Sequence, residues 1–486
     1  MARHEENSIA VSGEKPYRIL VVGGCYAGLA AATNLLDLCY GRAPRFTPAQ
    51  STPTHRLPIE VTIVDERDGF YHVIGSPLAL ADEDYASKAW VRFKNVPGLQ
   101  HPAIKFVHGS VSKVDTKSMK ASIIPHGKST PFQHEYDYLV AASGLRRAWP
   151  VVPQGLSRIR YLAEAQGHID AVQGAQHGVV VVGGGAVGIE MAAELKLVEP
   201  SQKVILIHSR EKLLSSEPLP DDFKDETLAL LRSVGVEVIT GQRVQKISEP
   251  DSNNTITLTL SNDTTLTTGH VINAVSRSIP TTSYLPPETL DPDGHVLISP
   301  TLNFLQTLTP NFRHHFAAGD IAAWSGIKRC GAAMHMGHYA AQNIYQHILS
   351  TRIEGYEPEY KMISEHPPMI GLALGSTAIS CSPSEGIKQG EEVLKYMFGD
   401  DLGFSICWNY MRLGEKPQME EVDLAVIEGV SDLHLEEHGT RERSSSSTSP
   451  DMSPRTPVDT TVDPFAKQEV QYKLSPVTVK IEPVAG

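Results

Sequence analysis

Two glycine-rich segments are the part of this sequence whose residue types and spacing best suit chemistry on a phosphate-containing ligand. Residues 21–28 read VVGGCYAG and residues 180–188 read VVVGGGAVG. Each segment follows an apolar run and precedes a stretch of small and apolar residues that predicts a helix. A turn of this kind presents backbone N–H groups and the positive end of a helix dipole to a pyrophosphate. The sequence therefore predicts two nucleotide-binding turns.

The two segments differ at the middle position of the G-x-G-x-x-G spacing. The second segment is complete, whereas in the first Cys25 stands between Gly23 and Gly28. The middle glycine normally lets the backbone approach the pyrophosphate, so Cys25 is a tolerated variant, a redox-sensitive thiol or the mark of a lost site. A thiol is small enough to turn aside while its backbone N–H faces a phosphate, which favours the first interpretation. A helix N-terminus also lowers a thiol pKa, which keeps the second open.

Both segments lie where a βαβ unit needs its first turn. In the first unit the returning strand, IEVTIVD, ends in Asp65, where an acid can accept hydrogen bonds from a ribose hydroxyl. A Pro-, Ser- and Thr-rich stretch before that strand predicts an inserted surface loop. The elements predicted for the two units are a strand at 17–22, a helix at about 27–40, a loop at 41–58 and a strand at 59–65, then a strand, turn and helix over 178–198 and a strand at 203–210.

Later strands place two further groups of interest. One predicted strand runs into Ser143 and Gly144, and another runs into Gly319 and Asp320. An acid after an apolar strand can accept hydrogen bonds from ligand hydroxyl groups, as Asp65 can. The remaining predicted elements are strands at 135–144, 236–246, 254–260, 270–275 and 314–324 and a helix at about 331–350.

Strands and helices in this order predict an α/β fold with two Rossmann-like domains, a small C-terminal α+β region and a disordered tail. The tail prediction depends on RERSSSSTSPDMSPRTPVDTT, which cannot bury enough apolar surface to fold alone. The predicted divisions are a flexible N-terminus at 1–16, the first domain at 17–150, the second domain at 151–267, the rest of the first domain at 268–355, a small C-terminal region at 356–425 and the tail at 430–486.

Composition argues against several classes of protein. The formal net charge of −13 argues against nucleic-acid binding, which needs a basic face. The five cysteines form no C-x-x-C pair, which argues against a metal site and favours a reducing compartment. The sequence has no apolar run long enough to span a membrane and no signal-peptide core in MARHEENSIA. We therefore expect a cytoplasmic protein, with peripheral membrane contact left open.

The chain order of glycine turn, A-x-S-G, second glycine turn and A-A-G-D resembles the two-dinucleotide-binding flavoproteins, whose fold is of the pyridine-nucleotide-disulfide-reductase type. Within them the sequence is most similar to the apoptosis-inducing-factor-like and ferroptosis-suppressor-like FAD-dependent NAD(P)H oxidoreductases. The resemblance covers about residues 17–412. It is carried by VVVVGGGAVGIEMAAELK, VILIHSR, INAVSRSIPTTSY, the A-A-G-D segment and HPPMIGLALGS.

This resemblance implies that FAD occupies the first unit and NAD(P)H the second. It implies a catalytic Glu190 close to the contact between nicotinamide and flavin. One departure is Leu78, where the family has an arginine that contacts FAD, so Lys88 or Arg92 is left to supply that contact. The implied cofactor-binding residues are Gly23, Gly24, Cys25, Tyr26, Ala27, Gly28, Asp65, Val111, Ser143, Gly144 and Asp320 for FAD, and Gly183, Gly185, Gly188, His208, Ser209 and Arg210 for NAD(P)H.

The end of the strand VILIHSR bears on the choice of nicotinamide. An NAD-specific unit usually carries Glu or Asp there, because an acid binds the ribose hydroxyls and repels a 2′-phosphate. This chain has His208, Ser209 and Arg210 instead. A hydroxyl and a guanidinium can bind a phosphate, so we expect NADPH, with NADH as the alternative.

The electron acceptor is the open question. Cys25 and Cys39 are separated by a predicted helix of roughly 20 Å, so they cannot form the redox pair of a disulfide reductase. The resemblance implies a quinone-type acceptor, and His335 and His338 are candidates to assist its protonation. The alternatives are a redox-sensing signalling flavoprotein, a redox enzyme that tailors a biosynthetic intermediate, and a protein that binds no flavin. The sequence implies no metal and leaves the oligomeric state undetermined.

Overall fold

The structure, a computed structural model, describes residues 15–42, 53, 55–275 and 277–417. Apart from Lys15 and Pro16, the predicted flexible N-terminus lies outside these residues, as do the predicted tail at 430–486 and most of the loop at 41–58. The described helices are α1 (Tyr26–Cys39), α2 (Ser76–Ala79), α3 (Glu83–Lys88), α4 (Arg158–Gln173), α5 (Ala186–Val198), α6 (Asp221–Ser233), α7 (Cys330–Arg352), α8 (Glu391–Phe398) and α9 (Phe404–Tyr410).

The described strands are β1 (Tyr17–Val22), β2 (Ile59–Asp65), β3 (Gly69–Tyr71), β4 (Trp90–Arg92), β5 (Ile104–Asp115), β6 (Lys120–Pro125), β7 (Phe132–Glu135), β8 (Tyr138–Ala141), β9 (Leu145–Arg146), β10 (Val179–Val182), β11 (Val204–Ile207), β12 (Glu237–Ile239), β13 (Val244–Ile247), β14 (Ile256–Leu260), β15 (Thr265–Thr268), β16 (His270–Asn273), β17 (Ile279–Pro280), β18 (Val296–Leu297), β19 (His315–Ala317), β20 (Ala322–Ala323), β21 (Ile370–Leu374), β22 (Thr377–Ser382) and β23 (Gly386–Gly390). The strands alternate with helices in the two βαβ units, whereas β5 to β9 and β12 to β20 follow one another without an intervening α-helix.

The first sheet has seven strands in the order β19-β8-β1-β2-β5-β6-β7. The strands from β19 to β5 are parallel, and β6 and β7 extend the sheet in antiparallel pairing. The central strands β1 and β8 are largely apolar and buried, as expected for parallel strands covered on both faces. Because the strands are parallel, the carboxyl ends of β19, β8, β1 and β2 lie along one edge.

Helix α7 packs directly against α1 through a glycine. A Cβ atom at Gly337 would lie 2.2 Å from the carbonyl oxygen of Ala27 and 3.1 Å from the Cβ of Ala30. The two helix backbones therefore approach more closely than any side chain at position 337 would allow. This contact fixes the amino-terminal half of α1, which begins at the first glycine turn.

The second Rossmann-like sheet has four parallel strands in the order β12-β11-β10-β16. A three-stranded antiparallel sheet, β13-β14-β15, lies between β12 and β16 in the sequence. Strand β16 pairs with β10 although it lies beyond the predicted boundary at residue 267. We therefore propose that this domain extends to Asn273. The two Rossmann-like units confirm the predicted fold class.

The C-terminal region contains the antiparallel sheet β21-β22-β23 and the helices α8 and α9. Its short helix α9 contributes Phe404 and Cys407 to the core of the first domain. Across the described part of the chain, none of the helices has both the length and the apolar composition that a membrane crossing requires.

Helix-interior glycines give the first prediction. Gly337→Ala should lower the free energy of unfolding by ~1–3 kcal/mol, because the added methyl group overpacks the contact between α7 and α1. Gly167→Ala is the matched control, since a Cβ there in α4 would meet nothing within 4 Å; it should raise stability by ~0.5–1 kcal/mol. Chemical unfolding measures both. Equal effects of the two substitutions would contradict the close packing.

Candidate functional site

The predicted FAD-binding residues come together at the carboxyl edge of the first sheet. The glycine turn follows β1, Asp65 ends β2, Ser143 follows β8 and Asp320 follows β19. Backbone hydrogen bonds hold the neighbouring ends in line: the N–H of Ala142 donates to Val22 (2.8 Å) and that of Ala318 donates to Ala141 (2.9 Å). Residues from four separate segments of the chain are therefore neighbours in space.

The first turn is tight because two of its positions admit no side chain. Gly23 has a φ of +109°, and a Cβ there would lie 2.3 Å from the carbonyl oxygen of Ala142. A Cβ at Gly28 would lie 1.8 Å from the carbonyl oxygen of Gly23. The glycines at the first and last positions thus hold the start of α1 against the end of β1.

Cys25 is the N-cap residue of α1, with extended backbone angles and no side-chain cap. Its thiol donates to the carbonyl oxygen of Tyr71 at 3.5 Å. Burial raises the pKa of Cys25 to about 12, so the side chain is a neutral thiol at neutral pH. The geometry matches a small side chain turned aside, with the uncapped N-terminus of α1 left for a ligand.

Asp65 is anchored by the backbone of the turn that it faces. Its carboxylate accepts from the N–H of Gly24 at 2.6 Å and from the N–H of Arg67 at 2.7 Å. Burial raises the pKa of Asp65, whereas the charge of Arg67 and these hydrogen bonds oppose the shift. Val111 lies on β5. It is three residues beyond His108, which pairs with Asp65 in the sheet.

Ser143 and Gly144 connect this edge to the segment after β16. The Ser143 hydroxyl donates to the carbonyl oxygen of Thr281 at 2.7 Å, and its oxygen lies 3.0 Å from the Tyr284 hydroxyl. Gly144 has a φ of +67° and accepts from the Thr281 hydroxyl at 2.7 Å. The two residues thus join the two parts of the first domain.

Asp320 follows a turn at Gly319, whose φ is +79°. Burial raises the pKa of the Asp320 carboxyl, and the charges of Arg147 and Lys328 oppose that shift. The nearest guanidinium nitrogen of Arg147 lies 4.0 Å from the carboxylate. Sequence analysis missed Arg147 as a residue of the site, because Arg147 and Asp320 are 173 positions apart in the sequence.

The second turn repeats the geometry of the first. Gly183 has a φ of +117°, and a Cβ at Gly188 would lie 1.9 Å from the carbonyl oxygen of Gly183. Gly185 is the N-cap residue of α5 and offers no side-chain cap. A Cβ at Gly185 would meet nothing within 4 Å, so the space in front of α5 is open to a ligand.

His208 occupies the place in the second unit that Asp65 occupies in the first. Its Nδ1 accepts from the N–H of Gly184 at 3.1 Å, and its Nε2 lies 3.1 Å from the Ser215 hydroxyl. The pKa of His208 is lowered, mainly by burial. The ring is therefore neutral at neutral pH. Ser209 and Arg210, the next residues, are exposed. None of the three residues that follow β11 is an acid.

Glu190 and Glu194 lie one turn apart on α5 and hold the C-terminal sheet. Glu190 accepts from the N–H of Ala373 at 3.3 Å, and Glu194 accepts from the N–H of Gly375 at 3.2 Å. Burial raises the pKa of Glu190 to about 8 and that of Glu194 to about 7. A carboxyl group with a pKa of about 8 is mostly protonated at pH 7.

A hydrogen-bonded chain joins the first turn to the C-terminal region, and sequence analysis missed it. The Tyr26 hydroxyl lies 3.1 Å from Nδ1 of His72, and Nε2 of His72 lies 2.9 Å from the carbonyl oxygen of Leu402. Burial lowers the pKa of His72 to about 4. The neutral ring therefore donates from Nε2 to Leu402 and accepts at Nδ1 from Tyr26. No sequence motif marks His72.

His338, which was a candidate for protonation chemistry, is buried between α1 and α7. Its Nδ1 lies 2.9 Å from Oδ1 of Asn34, and its Nε2 lies 2.8 Å from the Gln342 amide nitrogen. Both ring nitrogens are thus engaged in joining the two helices. His335 packs against Tyr339 with ring centroids 4.2 Å apart.

Comparisons with known proteins agree with the family resemblance inferred from the sequence. Residues 17–337 match the family described as pyridine nucleotide-disulphide oxidoreductase. The chain is 49% identical to oxidoreductase OXR1 of Ajellomyces capsulatus over 86% of this chain and 92% of that protein. It is 26% identical to ferroptosis suppressor protein 1 of Xenopus tropicalis over 72% of this chain and 85% of that protein. These matches confirm the resemblance inferred from the sequence.

A solved structure of NDH2 from Plasmodium falciparum, in complex with NADH, shares the fold. The TM-score is 0.60 at 12% sequence identity, and the match covers 82% of this chain and 97% of that one. At this identity the likeness supports the fold alone.

The raised pKa values of the two glutamates predict a pH-dependent stability. Because their folded-state pKa values, about 8 and 7, exceed the ordinary 4.5, their stabilising effect is complete below about pH 4.5 and is lost as pH rises towards 8. Between pH 5 and 8 the wild type should lose stability relative to Glu190→Gln/Glu194→Gln, which keeps an acceptor for each backbone N–H. Thermal unfolding at several pH values measures this, and parallel curves would contradict it.

Proposed function

Because this chain belongs to the pyridine nucleotide-disulphide oxidoreductase family, we propose that it oxidises NADPH and reduces a quinone-type acceptor. The chain is a pyridine nucleotide-dependent flavoprotein oxidoreductase whose cofactors are FAD and NAD(P)H. The observation that carries the proposal is the pair of uncapped glycine turns, each followed by a hydrogen-bond acceptor on the next strand. The preference for NADPH and the identity of the acceptor go beyond the family assignment.

The residues at the edge of the first sheet fit FAD. The uncapped N-terminus of α1 suits a pyrophosphate, because its N–H groups and dipole favour an anion. The half-buried carboxyl groups of Asp65 and Asp320 lie where they can accept from ribose and ribityl hydroxyls. We propose that these groups and the residues beside them, Val111, Ser143 and Gly144, hold the cofactor. When bound, FAD accepts a hydride from the nicotinamide and delivers electrons to the acceptor.

The second turn favours NADPH over NADH by its charge. An acid at the end of β11 would repel a 2′-phosphate, whereas His208 is neutral and is held by Gly184 and Ser215. The exposed Arg210 and Ser209 offer a positive charge and a hydroxyl where a 2′-phosphate would lie. His208 thus supports the turn as Asp65 does in the first unit, but without a negative charge.

Glu190 is proposed to position the nicotinamide. It lies one turn inside α5, behind the turn that would hold the pyrophosphate. With a pKa of about 8 it is an uncharged carboxyl group at neutral pH. Such a group can donate one hydrogen bond while accepting from Ala373. It therefore presents a donor to the nicotinamide side without adding a negative charge.

The charge argument makes a prediction about cofactor choice. Arg210→Glu should lower kcat/KM for NADPH by roughly tenfold or more, because it removes a charge-assisted contact of ~1.5 kcal/mol or more, and should leave kcat/KM for NADH almost unchanged. Lys203→Glu is the control, since Lys203 lies at the other end of β11 and pairs with Glu237. Stopped-flow reduction of the flavin by each nucleotide measures the effect. An equal loss with both nucleotides would contradict it.

A cavity of about 440 Å³ beside α9 is the proposed acceptor site. Lys88, Arg92 and Arg158 line it together with the aromatic residues Phe404 and Trp408. The two aromatic rings stack with centroids 5.4 Å apart and planes within 16°. A quinone has a flat ring that can pack on such a face and carbonyl oxygens that accept from the cations.

An aromatic cluster separates this cavity from the first turn. The ring of Trp408 lies 6.2 Å from that of Phe70, and the ring of Phe70 lies 5.7 Å from that of Tyr26. Tyr26 is the first residue of α1, next to Cys25. A ring bound against Trp408 would therefore be separated from Tyr26, at the turn proposed to hold FAD, by the two rings of Trp408 and Phe70.

The acceptor proposal is tested with a water-soluble quinone. The wild type should oxidise NADPH much faster with the quinone than without it, and Trp408→Leu should raise KM for the quinone roughly tenfold through the loss of ~1.5 kcal/mol of aromatic packing. Anaerobic reduction of the flavin by NADPH should be unchanged. Phe132→Leu, on β7 outside the cavity, is the control.

Two outcomes would count against the acceptor proposal in different ways. Quinone turnover with an unchanged KM in Trp408→Leu would place the acceptor elsewhere. Rapid flavin reduction without any quinone turnover would remove the quinone as the acceptor and favour a redox-sensing role instead.

A further inference from the structure

Two cysteines that are far apart in the sequence meet beside the first turn. Cys330 is the first residue of α7 and Cys407 lies in α9. The Cys407 thiol donates to the sulfur of Cys330 at an Sγ–Sγ distance of 4.0 Å. The pair is unlike the neighbouring-cysteine motifs considered from the sequence, because its members come from a helix of the first domain and a helix of the C-terminal region.

The two thiols are chemically unequal. The hydrogen bond donated by Cys407, the N–H of Gly331 and the charge of Arg329 lower the pKa of Cys330, against the opposing effect of burial. The same hydrogen bond and burial raise the pKa of Cys407. Cys330 also stands at the positive end of the dipole of a 23-residue helix. Cys330 is thus the sulfur that becomes a thiolate, and the Cys407 thiol stabilises it by donating a hydrogen bond.

The surroundings of Cys330 suit a transient anion. The Nε atom of Arg329 is buried and has no hydrogen-bond partner among the described residues. Cys330 is partly exposed, whereas Cys407 is buried. A small reagent can therefore reach Cys330 more readily than Cys407. The nearby Cys25 donates instead to the carbonyl oxygen of Tyr71.

We propose that Cys330 and Cys407 form a reversible dithiol–disulfide couple whose oxidant is a hydroperoxide. The Cys330 thiolate attacks the peroxide, the O–O bond breaks, and Cys330 becomes a sulfenic acid while the peroxide leaves as water or an alcohol. The Cys407 thiol then attacks the sulfenic sulfur, the S–S bond forms and water leaves. In total, two thiols lose two protons and two electrons to one peroxide. Hydrogen peroxide is thereby reduced to two water molecules, and an organic hydroperoxide to one water molecule and an alcohol.

Bond formation needs only a small movement. The sulfur atoms must approach from 4.0 Å to about 2.05 Å. Helix α9 is short and starts after Gly403, whose φ is +81°. The disulfide would connect the start of α7, which follows Asp320, to the helix that carries Phe404 and Trp408. Oxidation would therefore couple the edge proposed to hold FAD to the wall of the proposed acceptor cavity.

The test uses the purified FAD-loaded protein and hydrogen peroxide at about one equivalent per chain. Non-reducing peptide mapping after denaturation and alkylation should find Cys330 linked to Cys407, with the loss of two of the five free thiols and their recovery with dithiothreitol. Cys39→Ser, a buried cysteine at the end of α1, is the control and should form the same link.

Single variants separate the two roles. In Cys407→Ser, peroxide should leave a sulfenic acid at Cys330 that dimedone traps. In Cys330→Ser, Cys407 should stay unmodified, because it is buried and burial still raises its pKa. A wild type that keeps all five thiols, a link that uses Cys25 instead, or equal oxidation of Cys407 in Cys330→Ser would each overturn the proposal. These readouts do not depend on NADPH or quinone turnover.

Discussion

The tightest contact in each nucleotide turn of this protein depends on the absence of a Cβ atom at the last glycine. The α-carbon of Gly28 faces the carbonyl oxygen of Gly23 so closely that a methyl group would lie 1.8 Å from it. In the second turn, a methyl group at Gly188 would lie 1.9 Å from the carbonyl oxygen of Gly183. This contact brings the helix start against the strand end. The uncapped N–H groups and the helix dipole are then aimed at one point, and every other residue of the site is useful only because that point is fixed.

The two turns show that support of the backbone and recognition of the ligand are separable tasks. Asp65 and His208 both accept from the second glycine of their turn, at 2.6 and 3.1 Å. An acid supports the backbone and adds a negative charge, whereas a neutral imidazole supports it without one. The second unit therefore keeps its turn intact without an acid at His208, which is consistent with the proposed 2′-phosphate contact of Arg210 and Ser209.

Sequence analysis predicted the strands, turns and helices that local periodicity specifies. The strand ending in Asp65 and the strand, turn and helix around Gly183 lie where they were expected, because alternating apolar runs and glycines specify them within one segment. It did not predict the contact of Arg147 with Asp320, or that of Cys330 with Cys407. Those pairs form only when the sheet order and the C-terminal region bring distant segments together. Even His338, whose spacing suggested chemistry, is engaged by Asn34 of the neighbouring helix.

The C-terminal region is the part that can give this fold its own chemistry. The parallel strands of the two sheets supply phosphate-binding turns that any member of such a fold needs. They do not determine which electron acceptor is used. By contrast, the segment 401–408 contacts three residues near the first turn: Leu402 contacts His72, which in turn contacts Tyr26, Cys407 contacts Cys330, and two aromatic rings contact Phe70. A change in this segment would be felt at the flavin side without altering either glycine turn. The proposed acceptor site and the proposed disulfide therefore share residues of the same short helix, α9.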